Sequence, residues 1–327
     1  MIYKKDNTVI FILSILSSLT VLLIERSLNI GYDFHPDSLT YLTSSENFVK
    51  NTLENPSKML GTFYYFLVDL FNAEINILIS LNILMFALTN LILFSKVRNI
   101  YRKNGLLFYF SILIIIFDPY RMHFSVHILK DTLIIFSVAI LFFSSNVFLK
   151  IFGLVLGFFT RLGFFIYLPN KLSGLNKSQN ILFLLIIIFF FIFYNDIIIG
   201  SFSTGQTVDM SFRKFDLVYN FVEIGYPLGD ILRAILWPVI RLTGIAFIFH
   251  PIYFLFILNS LAIIYIISFN FNYLKKDIFL LLISFAAFAF VTTGYNSYLR
   301  WTQPLMTIFP IWIIALSLNL KHNRIKL

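Results

Sequence analysis

Residues 8–24 read TVIFILSILSSLTVLLI, an apolar run of membrane length that contains no charged side chain. Lys4 and Lys5 precede the run, and no small-residue cleavage signature follows it. We therefore predict a retained transmembrane helix rather than a signal peptide. The two lysines place the N-terminus in the cytoplasm by the positive-inside rule, so the polar residues after this helix are expected on the outer face.

The composition of the whole chain predicts the same class of protein. Of its 327 residues, 59% are hydrophobic and only 13% are charged, whereas a soluble domain is about half apolar and a quarter charged. The net charge of +9 is expected to reflect basic cytoplasmic loops rather than nucleic-acid binding. The absence of cysteine excludes disulfides, thiol catalysis and Cys-ligated metals. We predict an all-α polytopic integral membrane protein, with residues 1–327 forming a single membrane domain.

Alternating apolar and polar segments predict about ten transmembrane helices, with both termini in the cytoplasm. A turn at Arg161 is favoured over one long helix, because the turn keeps Lys171 and Lys177 inside. The predicted spans are 8–24, 75–94, 106–117, 132–149, 151–160, 162–169, 181–199, 252–269, 278–292 and 304–318.

Four outer loops result from this topology, at about 25–74, 118–131, 200–250 and 294–303. Two segments within them are apolar without being clear spans. Residues 60–71 suit a re-entrant or interfacial helix, and residues 231–240 have the amphipathic pattern of a helix at the membrane interface.

The first outer loop contains Phe-His-Pro-Asp-Ser-Leu-Thr-Tyr at residues 34–41. A carboxylate at Asp37, held by the stiff Pro36 and flanked by the titratable His35, can be presented to a hydroxyl at the membrane surface. We therefore predict Asp37 and His35 as catalytic residues. The alternative is that Asp37 caps a helix beginning at Ser38, and one carboxylate can do both.

Ionisable side chains differ between the two predicted sides of the membrane. Inner loops carry almost only Lys and Arg, which orientation alone explains. Outer loops carry charges of both signs and four of the five histidines, at or near helix ends where ionisable groups are costly. We interpret this asymmetry as the main indication of a functional site on the outer face.

Four cations are candidates for binding a phosphate group. Lys130 opens a predicted helix together with Asp131, and a phosphate there would meet both a positive side chain and backbone N–H groups. The alternative is an interfacial lysine and an acid favoured by the helix dipole. Arginine pairs bidentately with phosphate, and Arg161 is isolated between two apolar pieces. The other two candidates are Arg241 and Arg300, although Arg300 also suits an ordinary interfacial belt.

A spacing of four places His123, His127 and Asp131 on one helical face, as three metal ligands would require. The neighbouring Lys130 would oppose a cation, so we expect no metal and no other cofactor. Walker, Rossmann, serine-elbow and HExxH motifs do not occur in the sequence, which disfavours ATP-driven transport.

The stretch at residues 34–41 resembles the first outer loop of GT-C glycosyltransferases, where a pattern such as His-Pro-Asp-Glu carries the catalytic carboxylate. Asp37 matches that carboxylate, while Ser38 stands where many members have a second acid. Lys130 with Asp131, the isolated Arg161, the long outer loop and Arg300 resemble the bacterial O-antigen and capsule polymerases of the Wzy and EpsG-like kind. This resemblance implies a GT-C-like fold in the bacterial inner membrane, with the active site facing the periplasm.

The resemblance also implies a reaction and its partners. A hydroxyl of one lipid-linked repeat unit would attack a glycan carried by undecaprenyl diphosphate on another, with membrane lipid and a chain-length regulator protein as further partners. The implied roles are Asp37 and His35 for the proton, Lys130, Arg161, Arg241 and Arg300 for the diphosphate, and Tyr41, Tyr120, Asp131 and Tyr298 for the sugars. Two alternatives stay open: a transferase that adds one sugar from a polyprenyl phosphate, and a lipid-linked oligosaccharide flippase or transporter.

Overall fold

A computed structural model describes residues 2–32, 34–54, 60–100, 105–161, 164, 167, 228–243, 253–271, 285, 298–311 and 314. Each regular element in these residues is helical. The predicted spans 181–199 and 278–292 lie outside them, apart from residue 285. The chain divides into two compact units, Met1–Phe164 and Phe165–Leu327.

The described part of the first unit contains nine helices. They are α1 Ile2–Ser27, α2 Pro36–Ser44, α3 Phe48–Glu54, α4 Phe63–Leu70, α5 Ile75–Ile100, α6 Leu106–Ile116, α7 Pro119–Ser125, α8 Asp131–Phe143 and α9 Val147–Thr160.

Three helical stretches of this unit are long and apolar enough to cross a membrane: Asp6–Ser27, Ile75–Asn99 and Leu106–Ser125. They indicate a membrane protein, which confirms the predicted class. Large apolar side chains of α1 stay exposed, such as Leu16 and Leu23, as expected for contact with lipid. The number of ten crossings stays a prediction.

Helices α1 and α5 run antiparallel, and polar contacts join them. Asp6 near the start of α1 pairs with Arg98 near the end of α5, at 3.6 Å. Deeper in the unit, Asn90 Nδ2 donates to Ser14 Oγ at 2.9 Å. Small polar side chains of this kind let apolar helices approach each other where water is absent.

The segment after α6 differs from the predicted loop at 118–131, because α7 begins at once. Pro119 lies at the first helical position, and the Asp118 carboxylate caps the helix by accepting from the Tyr120 and Arg121 N–H groups. Side chains of this segment are largely buried, including Asp118 and Arg121 at 1% exposure. A buried charge requires a partner, and Asp118 with Arg121 meets this need.

Arg121 is the centre of what we call the arginine network, formed by Asn90, Asp118 and Arg121. Its guanidinium donates to Asp118 Oδ2, to Asn90 Oδ1 and to the carbonyls of Ile114 and Ile115. The two carbonyls belong to the last turn of α6 and have no acceptor role within that helix. Arg121 therefore joins α5 to the α6–α7 junction.

Helices α8 and α9 differ from the predicted span at 132–149. Helix α8 ends at Phe143, and Asn146 caps α9 by accepting from the Phe148 N–H at 2.8 Å. Gly153 allows the two helices to pack closely, because it has no Cβ atom. A Cβ atom at this position would lie only 2.8 Å from the Ser137 carbonyl oxygen. Helix α9 ends at Thr160 and Arg161 is extended, which confirms the predicted break at Arg161.

The described part of the second unit contains α10 Leu228–Thr243, α11 Tyr253–Asn270 and the helix at 298–311, here α12. Helix α10 confirms the amphipathic helix predicted for 231–240. Its exposed face is apolar, with Ile231, Ile235 and Val239 at a spacing of four, while Trp237 and Arg241 are buried. An apolar exposed face suits contact with lipid. Helix α12 already includes residue 298, six residues before the predicted start at 304.

Candidate functional site

Glu25 lies in the last turn of α1, where the helix ends in a Schellman motif. Asn29 has a φ of 58°, and the Ile30 N–H donates to the Glu25 carbonyl at 2.8 Å. This stop leaves the Glu25 side chain 2% exposed at the end of the helix. A buried carboxylate needs hydrogen-bond donors or positive charge nearby.

Two histidines supply those donors. His123 Nδ1 lies 2.6 Å from Glu25 Oε1, and His127 Nε2 lies 2.9 Å from Glu25 Oε2. Because a carboxylate oxygen accepts, both ring nitrogens donate. His123 lies in α7 and His127 just after it, so the spacing of four brings both rings to the same carboxylate, with ring centroids 4.4 Å apart.

His35 completes the group from a third segment. Its Nε2 lies 2.8 Å from His123 Nε2, and its ring centroid is 5.0 Å from those of His123 and His127. The backbone of His35 is extended because Pro36 disfavours helix at the preceding residue. We call Glu25, His35, His123 and His127 the histidine cluster.

The histidine cluster is buried except for part of His123. His35 and His127 are 3% and 1% exposed, whereas 14% of the His123 side chain is exposed. Phe34 lies against all three imidazoles, with centroid distances of 5.2, 5.8 and 6.0 Å, and is itself half exposed. Phe34 therefore shields part of the cluster from its surroundings.

Burial has a clear electrostatic effect on His127, which lies outside the three candidate spans. It lowers the pKa of His127 below its usual value, against the opposing hydrogen bond to Glu25. A neutral His123 that donates from Nδ1 has its lone pair on Nε2, and so accepts from the Nε2–H of His35. Glu25 and the three rings thus form a continuous hydrogen-bonded chain.

Asp37 lies beside this cluster, in the first turn of α2. The helix begins at Pro36 rather than Ser38, so the alternative prediction of Asp37 as its cap is wrong: His35 occupies the cap position. Asp37 is partly exposed, and its negative charge adds to burial in raising the pKa of Tyr65. Ser38 Oγ donates to the Ile128 carbonyl at 3.1 Å and anchors the loop on the segment that follows His127.

The residues predicted to bind sugars are all buried. Tyr41 packs its ring edge-on against Tyr64 and Tyr65, with centroids 5.0 Å apart in each case. Tyr120 and Tyr298 are 3% and 0% exposed. The structure therefore presents none of these three rings as an open stacking face, and their role in sugar binding stays a prediction.

Asp131 and Arg161 form a buried ion pair. Arg161 NH2 lies 2.9 Å from Asp131 Oδ1, with side chains 7% and 1% exposed. The pair links the start of α8 to the end of α9, and Lys130 is the cap residue of α8 directly before it. Two of the predicted diphosphate ligands are thus brought to the start of one helix. Asp131 neutralises Arg161 there and does not join the two histidines.

The other two predicted cations lie in the second unit. Arg241 of α10 is buried and donates to Gln303 Oε1 of α12. Gln303 is three residues after Arg300, so Arg300 is nearly one helical turn away on the same helix. Trp237 and Tyr298 pack between the same helices, with centroids 5.3 Å apart.

Glu25 is a member of the site that is not among the predicted site residues, and His123 and His127 lie with His35 rather than with the Asp131 that shares their spacing of four. The spacing of four between the two histidines is the local pattern that correctly indicated their proximity. Glu25 had a weaker signal, as the first acid after an apolar helix. No family model matches the chain, and neither a curated protein nor a solved structure matches it.

Proposed function

We propose that the protein is a membrane glycosyltransferase that polymerises surface polysaccharide. In the proposed reaction, a hydroxyl of one lipid-linked repeat unit attacks the anomeric carbon of a glycan on undecaprenyl diphosphate. The O–H proton passes to Asp37 as the new C–O bond forms, and the C–O bond to the diphosphate breaks. The products are a lengthened glycan and free undecaprenyl diphosphate.

One observation supports this proposal above the others: the partly exposed Asp37 lies in the first turn of α2, which hydrogen bonds hold on both sides of the carboxylate. His35 on one side bonds to His123, and Ser38 on the other bonds to the Ile128 carbonyl. A general base is effective only when its carboxylate is held within reach of the reacting proton. Of the carboxylates near the cluster, Glu25 is buried and bonded to two histidines, whereas Asp37 is partly exposed.

The length of α1 supports an outer site in this proposal. At about 1.5 Å per residue, the helix from Asp6 to Glu25 is about 28 Å long, close to the hydrocarbon thickness of about 30 Å. The Asp6–Arg98 pair and the histidine cluster therefore mark opposite ends of α1. With Lys4 and Lys5 in the cytoplasm, the Asp37 loop faces the periplasm in this proposal.

In this proposal, charge developing on the leaving diphosphate is met in the first unit by Lys130 and Arg161. Ile128, whose carbonyl holds Ser38, is only two residues before Lys130. The catalytic carboxylate and the start of α8 are therefore connected by a short, anchored piece of chain. Cations preorganised near a leaving group lower the barrier because their positions need not change during the reaction.

The test is the length distribution of surface polysaccharide on a gel, in a bacterial strain deleted for this gene. We expect single-repeat product in the deletion strain and in one complemented with Asp37→Asn, and full ladders with wild type. Glu46→Gln is the matched control, since Glu46 is an exposed carboxylate of the same predicted loop. Full ladders in the deletion strain, or with Asp37→Asn, would contradict the proposal.

A further inference from the structure

The histidine cluster brings together the atoms that a metal ion would need. One ring nitrogen from each of His35, His123 and His127 lies within 4.8 Å of the other two. These residues come from separate parts of the chain, and Glu25 adds a carboxylate in direct contact with two of them. We propose that Glu25, His35, His123 and His127 form a site for one divalent transition-metal ion of the zinc class.

The closest approach in the cluster is the strongest geometric argument. His35 Nε2 and His123 Nε2 face each other at 2.8 Å. Two nitrogens bound tetrahedrally to one zinc ion, at about 2.0–2.1 Å each, lie about 3.4 Å apart. An opening of about 0.6 Å, a rotation of the two rings toward a common point and transfer of the His35 proton from Nε2 to Nδ1 would therefore replace the hydrogen bond between the rings with two metal bonds.

Glu25 has the position of a supporting residue for such a site. Its bond to His123 Nδ1 fixes the tautomer in which the Nε2 lone pair points at His35. Histidines that bind metal through one nitrogen usually donate from the other to a carboxylate or carbonyl. Glu25 Oε2 and His127 Nε2 lie 2.9 Å apart, so either atom can supply a further ligand without a large movement.

The ligand types point to the class of ion. Imidazole nitrogens with one carboxylate favour zinc, cobalt, nickel or copper, whereas magnesium and calcium prefer sites made only of oxygen. By the spacing of four, Asp131 would be the third ligand beside His123 and His127, although no metal was expected there from the sequence. The structure instead pairs Asp131 with Arg161 and supplies His35 and Glu25 in its place.

A metal at this position would join two regions that are distant in sequence, residues 25–35 and residues 123–127. His35 and His123 are 88 residues apart, and Glu25 and His127 are 102 apart. The ion would fix the end of α1, the loop before α2 and the end of α7 to one another. It would thereby hold the loop that carries Asp37, although the site itself does not depend on the proposed transferase activity.

The test uses the full chain, purified without a polyhistidine tag in detergent and stripped with a chelator. Co²⁺ alone is the probe, because tetrahedral Co²⁺ with nitrogen ligands has an intense visible absorption. We expect one equivalent of Co²⁺ to bind and one equivalent of Zn²⁺ to displace it. A wild-type protein without a saturable, zinc-competed band overturns the proposal, whatever the variants do.

Variants locate the ion within the protein. His35→Ala and His123→Ala are expected to weaken Co²⁺ binding by at least about tenfold. His322→Ala is the control for residue type, and its affinity should equal that of wild type. Unchanged affinity in His35→Ala and His123→Ala would overturn the assignment to this cluster.

Two measurements separate this proposal from the proposed function. The elution profile in size-exclusion chromatography and the helical circular dichroism show whether a variant is folded. His35 precedes α2, so His35→Ala is expected to disturb the helices least. Asp37→Asn should bind Co²⁺ as wild type does, even though its polymer is lost. Loss of metal binding and loss of polymerisation can therefore be told apart.

Discussion

The arginine network and the histidine cluster are both buried polar groups of the first unit, yet they are built differently. In the arginine network, one cation meets one carboxylate, and its donors reach Asp118, Asn90 and two carbonyls. In the histidine cluster, three imidazoles share one carboxylate, and two ring nitrogens of the same kind face each other. In the arginine network, the charge of Arg121 is balanced by the carboxylate of Asp118. In the histidine cluster, the imidazole nitrogens offer lone pairs that a cation can use.

This difference distinguishes buried polar groups that stabilise the fold from buried polar groups that can bind a ligand. A balanced network stabilises helix contacts, and removal of one of its two charged groups leaves the other buried without a partner. A cluster of imidazoles can instead exchange hydrogen bonds for metal bonds. Four substitutions or additions test this comparison.

Arg121→Met is expected to have the largest effect. It leaves Asp118 buried without its cation, which costs about 3–5 kcal/mol of the free energy of unfolding. The measurement is the unfolding transition in detergent, followed by circular dichroism. The double variant Asp118→Asn/Arg121→Met keeps the cap and removes both charges, so it should lose less. An equal loss in the two proteins would show that the ion pair is not the reason.

Addition of Zn²⁺ should stabilise the folded protein through the histidine cluster alone. At one hundred times its Kd, a ligand that binds only the folded state adds about 2.7 kcal/mol. We expect the unfolding temperature to rise with Zn²⁺ in wild type and not in His123→Ala. A similar rise in both would place the zinc elsewhere in the chain.

Glu25→Gln should affect metal binding more than folding. The amide can accept from His123 and donate to His127, so neutral rings keep their hydrogen bonds. Loss of the carboxylate that supports a metal-binding histidine costs about 10–100-fold in affinity. Co²⁺ titration gives the affinity, and circular dichroism gives the stability. Loss of folding with Glu25→Gln would mean that the cluster needs the charge of Glu25 for structure, as the arginine network needs Asp118.

Ser38→Ala is expected to have the smallest effect. It removes the hydrogen bond to the Ile128 carbonyl, which contributes about 1 kcal/mol. Because this bond anchors the first turn of α2, which carries Asp37, we expect a moderate shortening of the polysaccharide ladder with folding retained. Thr43→Ala is a matched control, since its exposed hydroxyl bonds only within α2. Equal ladders for Ser38→Ala and Thr43→Ala would show that this anchor does not position the loop.

Local features of the fold could be predicted because their causes lie within one stretch of chain. The apolar run at 8–24 lies within α1, and Arg161 marks the end of α9. Asp118 and Pro119 mark the start of α7, although the predicted consequence was an exposed loop. That difference has a tertiary cause, because the Asp118–Arg121 pair makes burial of the segment possible only in contact with Asn90 of α5.

The sequence by itself determined the helical membrane class, the breaks between helices and the amphipathic α10, since apolar periodicity, proline and charge act over a few residues. Tertiary structure alone decided the composition of the candidate site. His35 and Glu25, rather than Asp131, contact His123 and His127. No local pattern encodes these contacts, because the packing of α1, α5 and α7 sets which of several buried polar side chains can meet.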